Sequence, residues 1–290
     1  MANIAIIGPG AIGGTIAAWL AQEPRHRITL AARTGLDRLE VETPQGVITA
    51  QPLVLTDPVQ ATPVEWILIA TKAYDVVGTS RWLDRLCQPD TLVAVLQNGV
   101  EHVERFAPYL SSERIVPVRV DCPAERLRPG HIRQRGPARL VVPRGRSGEA
   151  FVNLFAHTPI EASVSPDFKT EVWKKLCFNS AGALSAILLK GAVISRHEAA
   201  AQIMRGVVRE CLAVGLAEGA RLDDSVVESV VTGYQAAPPD SVNSMHADRI
   251  AGRSMEIDAR NGVIVRLGRK HGIPTPLNIL LVGLLEAAQG

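Results

Sequence analysis

The chain reads as an α/β protein with an N-terminal domain on a parallel sheet and an all-helical C-terminal domain. Three observations predict this. Residues 3–8, NIAIIG, form a short, continuously apolar, β-branched run that ends in glycines and is followed by a helical pattern. Similar runs recur at 27–33, 66–75 and 91–100, as expected of strands buried on both faces of a parallel sheet. From Asp167 the strand-like runs stop and helical periods take over. The expected domains are therefore 1–166 and 167–290, with the site in a cleft between them, and 290 residues suffice for two ordinary cores.

The first strand ends in Gly8-Pro9-Gly10-Ala11-Ile12-Gly13, and GTIAAWLAQ continues with helical spacing. A GxGxxG between a strand and a helix is the Rossmann dinucleotide fingerprint. Gly8 permits the tight turn, Gly10 lets the backbone approach a pyrophosphate, and Gly13 lets helix and strand pack closely. The helix N-terminus, with Ala11 and Ile12, supplies amide donors and a positive dipole end. The alternative is a glycine-rich turn with no ligand.

The second strand, RITLAAR, ends about 20 residues after the last glycine, where NAD enzymes carry an acid for the ribose hydroxyls. Here the tip reads Ala31-Ala32-Arg33-Thr34. A guanidinium in place of an acid suits a 2′-phosphate, so NADP(H) is the expected cofactor. A solvated strand-end arginine is the plainer reading. LEVETPQGVITAQPLVLTD then reads as a hairpin with a Pro-Gln-Gly turn and a further strand.

WILIATKAYD and TLVAVLQNGV carry polar residues at their C-terminal ends, which places Thr71, Lys72, Gln97, Asn98 and Gly99 at the cofactor crevice. Lys72 is hard to explain as packing. Asn98-Gly99 could be only a turn. Seven arginines fall in residues 126–146, read as a solvated hairpin with connecting loops rather than an anion-binding surface. Helices are expected at roughly 167–189, 195–219, 223–236, 257–272 and 276–288, with Pro238-Pro239 and GIPTP as breaks.

Composition excludes several classes. Hydrophobic content of 47% and charged content of 21% describe a globular chain. A net charge of +2 is too small to make nucleic acid or an anionic membrane the main partner. Cys87, Cys122, Cys177 and Cys211 form no CxxC pair, which fits a reducing cytosol. The N-terminus lacks a basic n-region, and no apolar run reaches about 18 residues, so neither a signal peptide nor a membrane span is expected. The expected localisation is cytoplasmic. His197 and His246 have no carboxylate or cysteine partner at metal spacing, and each reads as capping or solvated; no metal is assigned.

The stretch VWKKLCFNSAGALSA poses the sharpest question. Positions 175, 179, 183 and 186 share one helical stripe, so Lys175 and Asn179 can aim at one point. Apolar neighbours Val172, Leu176 and Phe178 would lower the lysine pKa and make it an effective proton donor near neutrality. A lysine snorkelling from the helix edge explains the spacing equally well. Lys174, about 100 degrees away, is expected to be a solvated neighbour.

Taken together, GxGxxG, TKAYD, QNG, WKKLCFN, NSMHADRIAGRSMEIDARNG and HGIPTP resemble the ketopantoate reductase family over nearly the whole chain. The resemblance implies a Rossmann domain followed by a 6-phosphogluconate-dehydrogenase-like helical domain, NADPH as cofactor, and reduction of a 2-oxo acid. By position it implies a catalytic lysine at Lys175 and an amide one turn later at Asn179. It implies an amide at nicotinamide and substrate at Asn98, and a cofactor-lining lysine at Lys72. Arg33 matches the 2′-phosphate binder, Ser244 a hydroxyl for the substrate carboxylate, and Glu256 a carboxylate for the substrate hydroxyl. A salt bridge of Glu256 to Arg253 or Arg260 is the structural alternative, and Asp248 could tie its helix to a nearby loop.

Two positions depart from the family pattern. Ala183 stands where a second asparagine is expected two turns after the lysine, and Ser241 where one is expected three residues before the serine. Both remove amides from the expected substrate pocket; Ala183 would leave room there, and Asn243 could replace one amide. Three readings follow. The first is a 2-dehydropantoate 2-reductase of pantothenate biosynthesis. The second is a related NADPH-dependent reductase of another 2-oxo acid or ketone, and the third a non-catalytic NADP(H) sensor. A small-molecule 2-oxo acid is the expected partner, and the apolar C-terminal helices are compatible with a homodimer.

Overall fold

In the computed structural model, which describes residues 2–289, β1 (Ala2–Ile7) is the centre of a six-stranded parallel sheet. The sheet also contains β2 (His26–Ala31), β5 (Leu53–Leu55), β6 (Trp66–Ile69), β7 (Leu92–Val95) and β8 (Ile115–Pro117), in the order β5-β2-β1-β6-β7-β8. Ile6 of β1 lies opposite Leu30 on one side and Leu68 on the other. Alternate residues of one strand enter two different cores. Ile4, Ile6, Trp66 and Leu68 pack with Ile16, Trp19 and Leu20 of α1 (Ala11–Leu20), whereas Ala5, Ile7, Ile67 and Ile69 pack with Trp82, Leu83 and Phe106. Burial on both faces is why these strands read as unbroken apolar runs.

The expected hairpin is β3 (Leu39–Thr43) with β4 (Gly46–Ala50). It joins a four-stranded sheet with β10 (Ala124–Arg128) and β11 (His131–Gln134). The arginine-rich segment forms this second hairpin and continues into β12 (Arg139–Pro143), which lies between β9 (Arg119–Asp121) and β13 (Glu161–Ser165). Its arginines pair with carboxylates: Arg133 with Glu42 at 2.6 Å, Arg135 with Glu125 at 2.5 Å, and Arg139 with Glu161 at 2.8 Å. Helices α2 (Val76–Leu86), α3 (His102–Phe106) and α4 (Arg146–Leu154) complete this part.

The chain forms two compact units, Met1–Gln97 with Glu101–Phe168, and Asn98–Val100 with Lys169–Gly290. The second is helical: α5 (Phe168–Ala181), α6 (Ala183–Leu188), α7 (Glu198–Ala217), α8 (Ser225–Ala236), α9 (Ser244–Ile250), α10 (Val263–His271) and α11 (Pro276–Gln289). Gly215 of α7 lets Trp173 of α5 approach, since an added Cβ would lie 2.9 Å from the indole. Asn261 and Asn278, both fully buried, bond to each other at 2.9 Å, and Glu210 accepts the Leu277 and Asn278 amides at the start of α11. No helix among the described residues is long and apolar enough to cross a membrane.

Several boundaries differ from expectation. Strands β6 and β7 stop at Ile69 and Val95, well short of 75 and 100, because the polar tips turn away from the ladder. The expected helix over 167–189 is two helices, broken at Gly182, whose carbonyl accepts from Asn243 Nδ2 at 2.9 Å. A Cβ at Gly182 would lie 2.5 Å from Tyr234 Oη, so partners remote in sequence crowd the break. Helix α9 was not expected; Asn243 caps it by accepting the Met245 and His246 amides. A π turn at Asp258–Gly262 leads into α10.

Candidate functional site

Sheet order reverses between β1 and β6: β2 and β5 lie beyond β1, and β7 and β8 beyond β6. Ligands of open α/β sheets sit outside the carboxyl ends at such a point. Gly8 follows β1 with φ +87°, and an added Cβ would lie 2.8 Å from Thr71 Cγ2 and 2.9 Å from the Thr71 amide nitrogen. At Gly13 a Cβ would overlap the Gly8 carbonyl oxygen and lie 2.9 Å from Ala70 Cβ. Gly10 differs, because a Cβ there would meet nothing within 4 Å. The loop is thus closed toward the protein at Gly8 and Gly13 and open at Gly10.

Gly10 is also the N-cap of α1, which has no side-chain cap and no acid in its first turn. The first amides of the helix, at Ala11 and Ile12, have no intrahelical acceptor. The Gly8 amide donates to Ala31 O at 3.0 Å, which fixes the end of β2 beside the loop. Arg33 stands two residues further on, exposed, with no hydrogen bond or ion pair among the described residues. These features fit a dinucleotide: amides and an open glycine for the pyrophosphate, and a guanidinium for a ribose phosphate.

The neighbouring strand tips are held by one network. Gln97 Nε2 donates to Thr71 Oγ1 at 3.1 Å and to the Lys72 carbonyl at 3.2 Å. Thr71 Oγ1 and Thr79 Oγ1 are 2.8 Å apart, and Gln97 O lies 3.0 Å from His102 Nε2. Lys72 is held here at the end of β6, half-buried. Gln97 is buried and its Oε1 has no hydrogen-bond partner among the described residues.

In the helical unit, Lys175 and Asn179 lie one turn apart on α5, both half-buried, and Lys174 is exposed. Val172 and Leu176 are buried beside them. Phe178 is 41% exposed and stacks on Tyr234 at 4.5 Å, so it does not shield the lysine as expected. Asn98 Nδ2 donates to Glu256 Oε2 at 3.0 Å, joining residues 158 apart in sequence. The expected alternative partners of Glu256 are placed otherwise. Arg253 pairs with Asp248 at 2.9 Å, tying α9 to the loop after it, and Arg260 has no ion pair among the described residues.

Arg260, which the sequence offers only as an alternative partner of Glu256, takes another place. It is 1% exposed, and donates to the Asn179 carbonyl at 2.5 Å and to Ser244 Oγ at 3.4 Å. Burial pulls its guanidinium below the ordinary value, while Tyr234, Glu256 and Asp248 pull it back. Burial likewise pushes the Tyr234 phenol up to about 12, against the pull of Arg260. Four candidates thus form two bonded groups, Asn98–Glu256 and Asn179–Arg260–Ser244. Ala183 is fully buried beyond the Gly182 break, so the stripe does not continue straight and the alanine is packed within the protein. Asn243 is committed to capping and to Gly182, not free to replace a lost amide.

His246 is buried rather than solvated. Ser185 Oγ donates to Lys190 O at 2.6 Å, so His246 Nδ1, 2.9 Å away, must donate to Ser185. Burial, then Arg249, holds this imidazole below its ordinary value; burial also lowers His26, partly offset by its bond to Leu154 O and reinforced by Arg25. The unfolded chain therefore takes up protons first as pH falls below about 6.5, and stability falls from there toward the native pKa values. Melting temperature should drop as pH falls below about 6.5, and His246→Gln should flatten part of that slope. An unchanged slope would exclude His246 as its source.

Residues 4–147 match the family model of ketopantoate reductase PanE/ApbA, and residues 167–289 match the model of its C-terminal part. The chain belongs to the ketopantoate reductase family. It is 57% identical over 288 residues to a 2-dehydropantoate 2-reductase of Caulobacter vibrioides, covering 99% of each chain. It is 42% identical over 292 residues to one from Mycobacterium tuberculosis, covering 99% of this chain and 97% of the relative. Among solved structures, a PanE/ApbA family ketopantoate reductase from Ralstonia eutropha JMP134 superposes with a TM-score of 0.90 at 30% identity, covering 99% of this chain and 98% of that one. The parallel sheet and helical second part expected from sequence are those of ketopantoate reductases.

Proposed function

We propose that this chain is an NADPH-dependent 2-dehydropantoate 2-reductase that converts ketopantoate to pantoate for pantothenate biosynthesis. The observation that carries this reading is the 57% identity to a 2-dehydropantoate 2-reductase along essentially all of both chains. The open glycine loop, Arg33, and the Asn98–Glu256 pair support it. The chain works in the cytoplasm, and exposed Ile279, Leu280 and Leu284 on α11 favour a homodimer.

When bound, NADPH supplies the hydride. The amides after Gly10 would hold the pyrophosphate, Arg33 would pair with the 2′-phosphate, and Lys72 would line the cofactor. Ser244 donates to the carboxylate of the 2-oxo acid. Asn98 and Asn179 orient its ketone. Lys175 stabilises the negative charge that develops on the ketone oxygen, then gives it a proton from Nζ. Glu256, fixed by Asn98, accepts the hydroxyl of the alcohol.

The test is loss of NADPH absorbance with ketopantoate, run with NADH and with Arg33→Ala. NADPH-selective turnover is expected. Loss of a bidentate, charge-assisted contact in Arg33→Ala should raise KM for NADPH about 10–100-fold and leave NADH kinetics nearly unchanged. Tight NADPH binding without ketopantoate turnover would overturn the substrate assignment. It would favour the second reading, another 2-oxo acid or ketone, which the alanine at 183 and serine at 241 support.

A further inference from the structure

We infer that Arg260 is a specificity-determining residue, which acts through Ser244 to select a substrate bearing a free carboxylate. This rests on the reading of Ser244 as the carboxylate contact. Arg260 is almost wholly buried, yet no carboxylate of the described residues lies within the 4.0 Å of an ion pair. The nearby acids are engaged elsewhere: Asp248 with Arg253, and Glu256 with Asn98. Its Nε is buried without a hydrogen-bond partner. A guanidinium cannot shed its charge as a buried lysine can, and a buried charge without its counter-ion is unfavourable. Among the described residues the chain therefore keeps a buried positive charge that no carboxylate contacts directly, with Glu256 and Asp248 acting on it only from beyond ion-pair distance.

The geometry points to an anion beside Ser244. Arg260 Nη1 donates to Ser244 Oγ, so that oxygen serves as acceptor and the hydroxyl hydrogen is free to point elsewhere. The Ser244 residue itself is exposed. A hydroxyl polarised by a cation behind it is a stronger donor to an anion in front of it. The ligand this suits is a small monocarboxylate such as a 2-oxo acid; a neutral ketone gains nothing from the charge. The competing role is a pin, with Arg260 holding the Asn179 carbonyl near the end of α5.

Three full-length variants separate these roles. Arg260→Gln keeps amide donors and removes the charge; Arg260→Lys keeps the charge; Ser244→Ala removes the exposed hydroxyl. Wild-type turnover of ketopantoate is measured first, and its absence would refute the proposed function by itself. Given turnover, Arg260→Gln should raise KM for ketopantoate about 10–100-fold with kcat and KM for NADPH within about threefold, the range for a lost hydrogen bond to a charged group. Arg260→Lys should recover much of that loss, and Ser244→Ala should raise the same KM. Equal impairment of Gln and Lys variants, with melting temperature falling alongside, would assign Arg260 to the pin. If neither Arg260 variant folds, Ser244→Ala decides, and an unchanged KM overturns the inference.

Discussion

Lys175→Ala should lower kcat for ketopantoate reduction by about 10²–10⁴-fold, the usual contribution of a positioned general acid. In the proposed reaction the ketone oxygen would gain negative charge, and without a proton donor that charge would be stabilised only by amide dipoles. Lys175 is half-buried one turn from Asn179, whose carbonyl is pinned by Arg260. Lys174 provides the control: it is exposed and acts electrostatically on Asp223. Lys174→Ala should change kcat less than about twofold, since exposed charge pairs contribute little. Steady-state kinetics together with NADPH titration would show whether the loss is in the chemical step. Equal kcat in Lys175→Ala and wild type would remove the lysine from the mechanism.

What was legible in the sequence followed its range of interaction. The glycine loop is a strand, a turn and a helix start in one continuous stretch, so local chemistry specifies it. Lys175 and Asn179 were legible for the same reason, as neighbours on one helix. Asn98 and Glu256 were each named from sequence, but their bond spans 158 residues and required the fold. From sequence, Arg260 is one of two alternative salt-bridge partners of Glu256, with Arg253, and the structure forms neither pair. The π turn at Asp258–Gly262 explains why the Arg260 alternative does not form, because i→i+5 winding shifts residues away from i+4 alignment. The break at Gly182 was similarly hidden. A glycine within an apolar run tolerates either outcome, and Tyr234 and Asn243, more than 50 residues away, decide it. The short helix α9 escaped because its seven residues carry too little periodicity, although Asn243 and Gly252 bracket it as a cap and a positive-φ stop.

The glycines of the cofactor loop give the second large effect, and they separate folding from binding. In Gly13→Val the first added carbon already overlaps the Gly8 carbonyl oxygen, and Ala70 Cβ blocks retreat. Backbone cannot yield as a flexible side chain does, so α1 must leave the sheet. The expected cost is at least about 1–3 kcal/mol, with NADPH binding abolished. Gly10→Ala should behave differently. Its φ of −78° suits alanine, and the new carbon meets no protein atom within 4 Å, so the melting temperature should stay within a few degrees of wild type. The methyl would nevertheless stand where the pyrophosphate must approach the backbone, and NADPH affinity should fall about tenfold or more. Thermal melts and NADPH fluorescence titrations measure both quantities on the same samples. A Gly10→Ala protein that binds NADPH as tightly as wild type would mean that the open side of the loop is not the phosphate side. A Gly13→Val protein with wild-type stability would mean that α1 has more freedom over the sheet than its packing implies.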